Sequence, residues 1–363
     1  MKIMLPVIYT HHTAILKRWE FYAFPVLVGL VVALVLAMPS KAFAFGPLTH
    51  LAAGLPILQD ALQGVFPAWI GQALGSWPLA YLYGLLGPDI TIARNLADFH
   101  SHCHNWRVGK EMLAKSSSSK ERAFALGYLS HLAHDTYAHN LFLPKKILFG
   151  TPRYLSRHIL AEFLLDSRFS NLSYLLESLH ETLKDKDLDH LLTETVTPVV
   201  FSFRTNKFFF RRLLALRQAG KLDARLQRLS GRHPTFFTEE ELKEVLEASY
   251  ILVRGMLSDP ASSPLFLLDP TGVENLKLVR FFRRQIAHDS PIASPGLKLT
   301  LKQEVYELIK ANNRPFIALL EERKERFGPL NGRFHPRSGL PSLLLTCGPV
   351  PSARPFSEEL LRH

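Results

Sequence analysis

An all-α fold is predicted by three features of this chain. Apolar residues recur at helical spacing from about residue 45 to residue 327, capping boxes punctuate the pattern, and no run alternates apolar with polar residues as a half-buried strand would. The expected organisation is a leader over 1–44, a multi-helix domain over 45–200, additional helices over 201–327 that extend or adjoin it, and a Pro/Gly-rich tail over 328–363. With 363 residues, 47% of them hydrophobic and 21% charged, the chain can bury a large core, which excludes a wholly disordered protein.

The leader opens with a weakly basic segment, runs uncharged from Phe21 to Pro39 and ends Ser40-Lys41-Ala42-Phe43-Ala44. Ala42-x-Ala44 has the small residues of a signal-peptidase site, so the preferred reading is export, with Phe45 as the new amino terminus. The alternative is an uncleaved anchor, since a helix of that length, at about 1.5 Å per residue, nearly spans a hydrocarbon core of roughly 30 Å. The formal charge is +11; removing Lys2, Lys17, Arg18, Lys41 and Glu20 with the leader leaves 39 basic and 31 acidic residues. That surplus favours anionic surfaces without naming one. Cys103 and Cys347 show no spacing that demands a bridge, and no structural disulfide is expected.

Past Phe45, an apolar helix is expected over Leu48–Leu62 and another over Trp77–Leu86, stopped by Gly87-Pro88, which leaves Asp89 on the following turn. Ser118-x-x-Glu121 and Thr238-x-x-Glu241 read as capping boxes, and Thr300-x-x-Gln303 as the start of a helix carrying Leu301, Val305, Leu308 and Ile309. Leu172, Leu175, Leu176, Leu179 and Leu183 make a further helical stripe. Between Arg204 and Arg232 nine basic residues against Asp223 alone are interleaved with Phe208, Phe209 and Phe210. Such a helix either lies on an anionic membrane or has one buried and one solvated face. The tail holds six Pro and four Gly in 36 residues and no helical pattern.

The chemistry concentrates between Ala125 and Glu162. His131, Asp135 and His139 stand at i, i+4 and i+8, on one face of a helix, and His158 and Glu162 repeat the i, i+4 spacing on a second. A lone histidine on an apolar face is more often a hydrogen-bonded core residue than a ligand. Five such groups buried together without a cation would each cost roughly 2–7 kcal/mol or more, and a metal removes that penalty. Eight of the sixteen histidines fall between His50 and His158, and Asp98, His100, His102 and His104 crowd the approach to the His131 helix. One zinc takes about four protein ligands, so this density suits two or three ions.

These motifs resemble the zinc-dependent phospholipase C family, which includes bacterial phospholipases C, the amino-terminal domain of glycosylphosphatidylinositol-specific phospholipase D and, distantly, the zinc-dependent single-strand nucleases. The matching features are His131-x3-Asp135 with His139 following, His158-x3-Glu162, the turn Gly87-Pro88-Asp89, Thr49-His50, and His104-Asn105-Trp106. The resemblance covers roughly Phe45 to Asp166. It implies an all-α domain with a cluster of two to three zinc ions held by Phe45 (through its terminal amine and carbonyl), His50, Asp89, His104, His131, Asp135, His139, His158 and Glu162. Asp135 would bridge two ions, and Asp89 would also accept a proton.

Several residues depart from the family pattern. The interval from Asp135 to His139 is shorter than in the secreted phospholipases, Phe45 replaces a Trp, and Ile90 replaces the aromatic residue of choline-preferring members. His100, His102 and His134 have no counterpart and are read as supporting or surface histidines, with His100 or His102 an alternative to His104 as ligand. The implied activity is phosphodiester hydrolysis by a metal-activated water, with a phospholipid or membrane surface as the partner. No Gly-x-Ser-x-Gly elbow points to acyl hydrolysis. A zinc nuclease or phosphatase, and a metal-binding envelope protein without turnover, are the alternatives, with nucleic acid the less favoured substrate.

Overall fold

Helix formation begins where Pro47, whose missing N–H costs nothing in a first turn, follows the extended Gly46. The structure, a computed structural model, describes residues 45–91, 102–149, 165–196, 201–218, 237–288 and 294–328. Among these residues there are helices and no strands. The described residues belong to one compact unit. His158, Glu162, Asp98, His100, the leader with Ala42 and Ala44, the basic run beyond residue 218 and the tail beyond residue 328 lie outside the described residues.

The upstream helices are α1 (Pro47–Leu62), α2 (Ala68–Ser76), α3 (Pro78–Gly84), α4 (Trp106–Lys115), α5 (Ser119–Tyr137) and α6 (Leu143–Phe149). After them come α7 (Tyr174–Thr182), α8 (Lys186–Thr195) and α9 (Phe203–Gln218). Downstream lie α10 (Glu239–Ser258), α11 (Val273–His288), α12 (Pro295–Asn312) and α13 (Arg314–Phe327). Both expected capping boxes form, at Ser118/Glu121 ahead of α5 and at Thr238/Glu241 ahead of α10. The leucine stripe is buried as expected, but it divides between a 3-10 turn, Ser167–Leu172, and α7.

Helix α5 is the axis of the fold, buried without interruption from Ala123 to Tyr137. Its closest neighbour is α3, and the two backbones touch through glycine. A Cβ on Gly127 would lie 2.1 Å from the carbonyl oxygen of Tyr81, and one on Gly84 2.0 Å from that of Phe124. On its other sides α5 packs against α2, α4 and α10.

Three expected boundaries are corrected. The helix anticipated over Trp77–Leu86 is the shorter α3, and Gly87-Pro88 opens a 3-10 turn, Gly87–Ile90, instead of simply ending it. The tightening has a cause: Asp89 N–H bonds to Leu86 O at 3.2 Å, leaving Leu85 O for a side chain. Helix α12 does not start at Thr300 but at Pro295, because Ser294 caps it by accepting from Leu297 N–H. His139 does not continue the α5 helix; residues Ala138–Phe142 form a π turn. Pro144 explains the change of register, since its ring would clash with the carbonyl four residues earlier. Asn140 Nδ2 compensates by donating to Thr136 O at 2.9 Å.

The downstream helices share one apolar core with the upstream ones. Tyr250 of α10 donates to Asp60 of α1 at 2.8 Å, and Arg254 reaches the same hydroxyl at 2.7 Å. Arg323 of α13 is buried and donates to Leu252 O and to Ser263 Oγ. Of the two readings of the basic segment, its described part fits the helix with one buried and one solvated face. Phe210 and Leu214 of α9 are core residues, and Lys207 is buried on Asp189. Phe208 alone of the three phenylalanines is exposed, at 43%.

The glycine contact sets a prediction. Gly127→Ala places a methyl group against backbone that cannot yield, so it should lower stability by roughly 1–3 kcal/mol despite better helix propensity. Gly71→Ala, whose Cβ would meet nothing closer than 3.5 Å, should be neutral or stabilising by up to about 1 kcal/mol. Urea unfolding of the two variants should separate them in opposite directions.

Candidate metal centre

Helix α5 contributes His131, His134 and Asp135, one turn apart on a face that is 0–1% exposed. The start of α1 brings His50, the 3-10 turn after α3 brings Asp89, and the turn ahead of α4 brings His104. Asp135 is the meeting point. Its Oδ1 lies 3.6 Å from His50 Nε2, and its Oδ2 lies 3.1 Å from His104 Nε2 and 3.3 Å from His131 Nε2. Asp89 Oδ1 closes the arrangement at 3.6 Å from His104 Nε2 and 4.0 Å from His131 Nε2.

Two overlapping groups result, His50/His131/Asp135 and Asp89/His104/His131, each with its ligand atoms within 4.8 Å of one another. Ligands about 2.0–2.1 Å from a tetrahedral zinc are themselves about 3.3–3.4 Å apart, so these spacings fit a shared cation. The hydrogen bonding fits too. Among the described residues, His50 Nε2 and Asp135 Oδ1 are buried without a hydrogen-bond partner, a loss of roughly 1–3 kcal/mol for each such atom that a cation between them removes.

The rings are aimed from behind. His131 Nδ1 donates to Leu85 O at 2.7 Å, the carbonyl released by the 3-10 turn, and His139 Nδ1 donates to Pro270 O at 2.7 Å. Each bond puts a proton on Nδ1, so that Nε2 is the nitrogen left to bind a cation. His104 Nδ1 meets Cys103 Sγ at 3.2 Å, and the Tyr128 hydroxyl donates to Cys103 O. Cys103 is a buried free thiol. His50 meets His134, Nδ1 to Nδ1, at 3.2 Å, and stacks on His131 with centroids 3.8 Å apart.

Burial, and then the neighbouring His131, hold His50 well below the ordinary imidazole range. The same two causes push His134 down to about 3. Burial alone would raise Asp135, but His131 and His139 beside it and hydrogen bonds from His104 and His131 outweigh that, holding its carboxyl well below the usual carboxylate range. His50 and His134 are therefore held as neutral imidazoles beside an ionised Asp135, a protonation state that favours cation binding.

Of the residues read from sequence, the structure brings together His50, Asp89, His104, His131 and Asp135. His139 stands beside them, outside the two groups, and acts on Asp135 through its charge. Phe45 is buried with its ring edge-on to His50, centroids 5.7 Å apart. His104, not His102, is the histidine that reaches Asp135; His102 Nδ1 instead accepts from His104 N–H at 3.0 Å. Of the two readings of His134, supporting or surface, the structure fits the first: it is buried against His50, one turn after His131. The carbonyls of Leu85 and Pro270 carried no signal, because any residue supplies one.

The model of a family described as zinc dependent phospholipase C matches residues 47–210. The match supports the family resemblance read from the motifs. No curated protein and no solved structure matches the chain. The phospholipase C segment contains His50, Asp89, His104, His131, Asp135 and His139, whereas Pro270 lies beyond it. A zinc phosphodiesterase-like role is supported by the family together with the clustered His and Asp residues.

That downstream contribution is a built feature of the candidate centre. Asp269 folds its segment by accepting from Thr271 N–H at 2.9 Å, and Gly272 follows at φ +53°, where a Cβ would stand 2.5 Å from His139 O. Leu268 O accepts from Trp106 Nε1 at 2.8 Å, and Asp269 O from Asn140 Nδ2 at 2.8 Å. One short segment thus holds the turn carrying His139 and the helix next to His104.

The lowered histidine values set a second prediction, for protein stripped of metal by a chelator. A histidine whose folded value is depressed binds fewer protons folded than unfolded, so stability rises with pH across its window. For His134 the contribution is complete above 6.5 and is lost as pH falls toward about 3, at up to about 1.4 kcal/mol per pH unit. His50 acts in the same direction, and Asp135 adds a loss below its ordinary value of 3.8. The urea midpoint should fall steadily from pH 7 to pH 4; a flat profile would contradict the buried neutral imidazoles.

Proposed function

We propose that the chain is an exported zinc-dependent phosphodiester hydrolase of phospholipase C type, cleaving a phospholipid or a related phosphodiester. The observation that carries this reading is the divided carboxylate of Asp135, one oxygen toward His50 and the other toward His104 and His131. A carboxylate used on both sides suits two adjoining cations, and His139, His158 and Glu162 extend the set to the two or three zinc ions of the proposal. When bound, such ions supply Lewis acidity toward phosphoryl oxygens and a nucleophilic water at neutral pH.

The residues divide the remaining work. His50, His104 and His131 present Nε2 as fixed ligands, and their burial keeps bulk water from competing with the substrate. Asp89 lies at the more open edge, its side chain 8% exposed against 0–2% for the others. In this reading its carboxylate, besides holding an ion, takes the proton of the attacking water. A seryl or cysteinyl nucleophile is not required.

Lipid is favoured over nucleic acid by what surrounds the centre. Lys207 of the basic helix is engaged by Asp189 and so is not offered to a phosphate backbone, while Phe208 is exposed. Leu267, next to the Leu268 carbonyl that holds Trp106, is 87% exposed. Apolar residues of this kind add an interfacial attraction that salt does not screen. Purified zinc-loaded protein should release diacylglycerol and a phosphorylated head group from mixed phospholipid vesicles, with little cleavage of single-stranded DNA or RNA. Replacing Phe208 and Leu267 by Ser should impair vesicle hydrolysis several-fold more than that of a short-chain soluble phosphodiester. Nucleotide release without diacylglycerol would favour the nuclease, and no turnover of either substrate would favour a metal-binding protein without activity.

Export with cleavage after Ala44 belongs to the same proposal; Phe45, buried with its ring edge-on to His50, would then be a terminal residue beside the cluster. The freed amine and carbonyl of Phe45 then join the ligand set. Amino-terminal sequencing of the exported protein should read Phe45-Gly46-Pro47, and one additional residue ahead of Phe45 should abolish hydrolysis with helicity unchanged. A mature chain that still starts at Met1 would overturn this part and favour the anchored form.

A further inference from the structure

His134 has no task in the phospholipase C reading. It is fully buried on α5, its ring stacked 5.4 Å from that of His50, and the two rings meet through their Nδ1 atoms at 3.2 Å. Two neutral imidazoles joined in this way hold one proton between them. The ring that donates carries its proton on Nδ1, and the ring that accepts must carry its own on Nε2.

The two arrangements have opposite consequences for His50. If His134 donates, the His50 proton sits on Nε2, the atom that faces Asp135 Oδ1 at 3.6 Å, and that atom cannot bind a cation. If His50 donates, its Nε2 lone pair points into the group formed with His131 and Asp135. We propose that His134 is a positioning residue of the metal centre: it accepts the Nδ1 proton of His50 and so holds His50 in the tautomer whose Nε2 binds a divalent cation.

The role parallels that of Leu85 O behind His131 and Pro270 O behind His139. It differs in one respect with a chemical consequence. A carbonyl only accepts, whereas an imidazole also donates, so the His50–His134 pair has a second state. In that state Nε2–H of His50 points at Asp135 in the absence of metal; on loading, the shared proton passes to His50 Nδ1, His50 gives up its Nε2 proton and His134 takes one on Nε2, so that each ring still carries one proton and the hydrogen bond runs the other way.

The inference rests on the cluster binding zinc and is independent of which phosphodiester is cleaved. The experiment compares the full-length mature chain with His134→Leu and His134→Asn, titrating each with zinc against a chelating competitor, and reads ring-nitrogen protonation in zinc-loaded wild type by nitrogen-15 NMR. His134→Leu removes the acceptor and should weaken at least one zinc site roughly 10–100-fold. His134→Asn, whose Oδ1 can accept in place of Nδ1, should recover most of that loss. The spectra should show His50 protonated at Nδ1 and His134 at Nε2. Unchanged zinc affinity in folded His134→Leu, or a zinc-loaded His134 protonated at Nδ1, would overturn the inference, and the NMR result decides it should His134→Leu fail to fold. Wild type that takes up no zinc would overturn the metal reading together with this one. Zinc binding that depends on His134 without hydrolysis of vesicles or nucleic acid would support the inference and overturn the proposed activity alone.

Discussion

A carboxylate 1% exposed among imidazoles is the constraint on which the rest of this structure depends. Isolated, Asp135 would be pushed toward its neutral form by burial; here His131, His139 and the hydrogen bonds of His104 and His131 keep it ionised. A buried charge is tolerated only when paired and hydrogen-bonded, so each group around Asp135 must be held at a fixed distance and with a fixed proton. The architecture around α5 meets that demand. Gly127 and Gly84 let α3 approach until Leu85 O reaches His131, and the same turn presents Asp89.

The downstream helices meet it on the opposite side. Arg323 of α13 fastens Ser263, Asp269 folds the loop that follows, and Pro270 O takes the Nδ1 proton of His139. The close approach of Gly272 to His139 leaves no room for a side chain there. Residues beyond the segment that matches the phospholipase C family are therefore part of how the His and Asp side chains of the candidate centre are aimed. This explains why a hydrophobic core continuous across both halves accompanies a site whose ligands lie in the first half.

Local chemistry was legible where neighbours in sequence are neighbours in space. The capping boxes at Ser118 and Thr238 form as read, because a cap and its partner lie within one turn. His131 and Asp135 share a face for the same reason. Readings failed where a distant or competing contact decided the outcome. Ser294 and Pro295 outcompete Thr300 as a helix start, and Pro144 forces the π turn that carries His139. Phe210 looked like part of an exposed apolar face but is buried, since the direction of a helix face depends on what packs against it.

By itself the sequence determined the helical class and the residue types of the centre, since 3.6-residue periodicity and the i, i+4 spacing of His131 and Asp135 are properties of the chain alone. The family resemblance followed from the same motifs. Tertiary structure alone decided which histidine of the 102–104 turn reaches Asp135, that His134 is turned onto His50, and that the carbonyls of Leu85 and Pro270 set the protons of His131 and His139. The physical reason is that a tautomer depends on the partner of the other ring nitrogen. Here those partners are up to 131 residues away in the chain, and two are backbone atoms common to every amino acid.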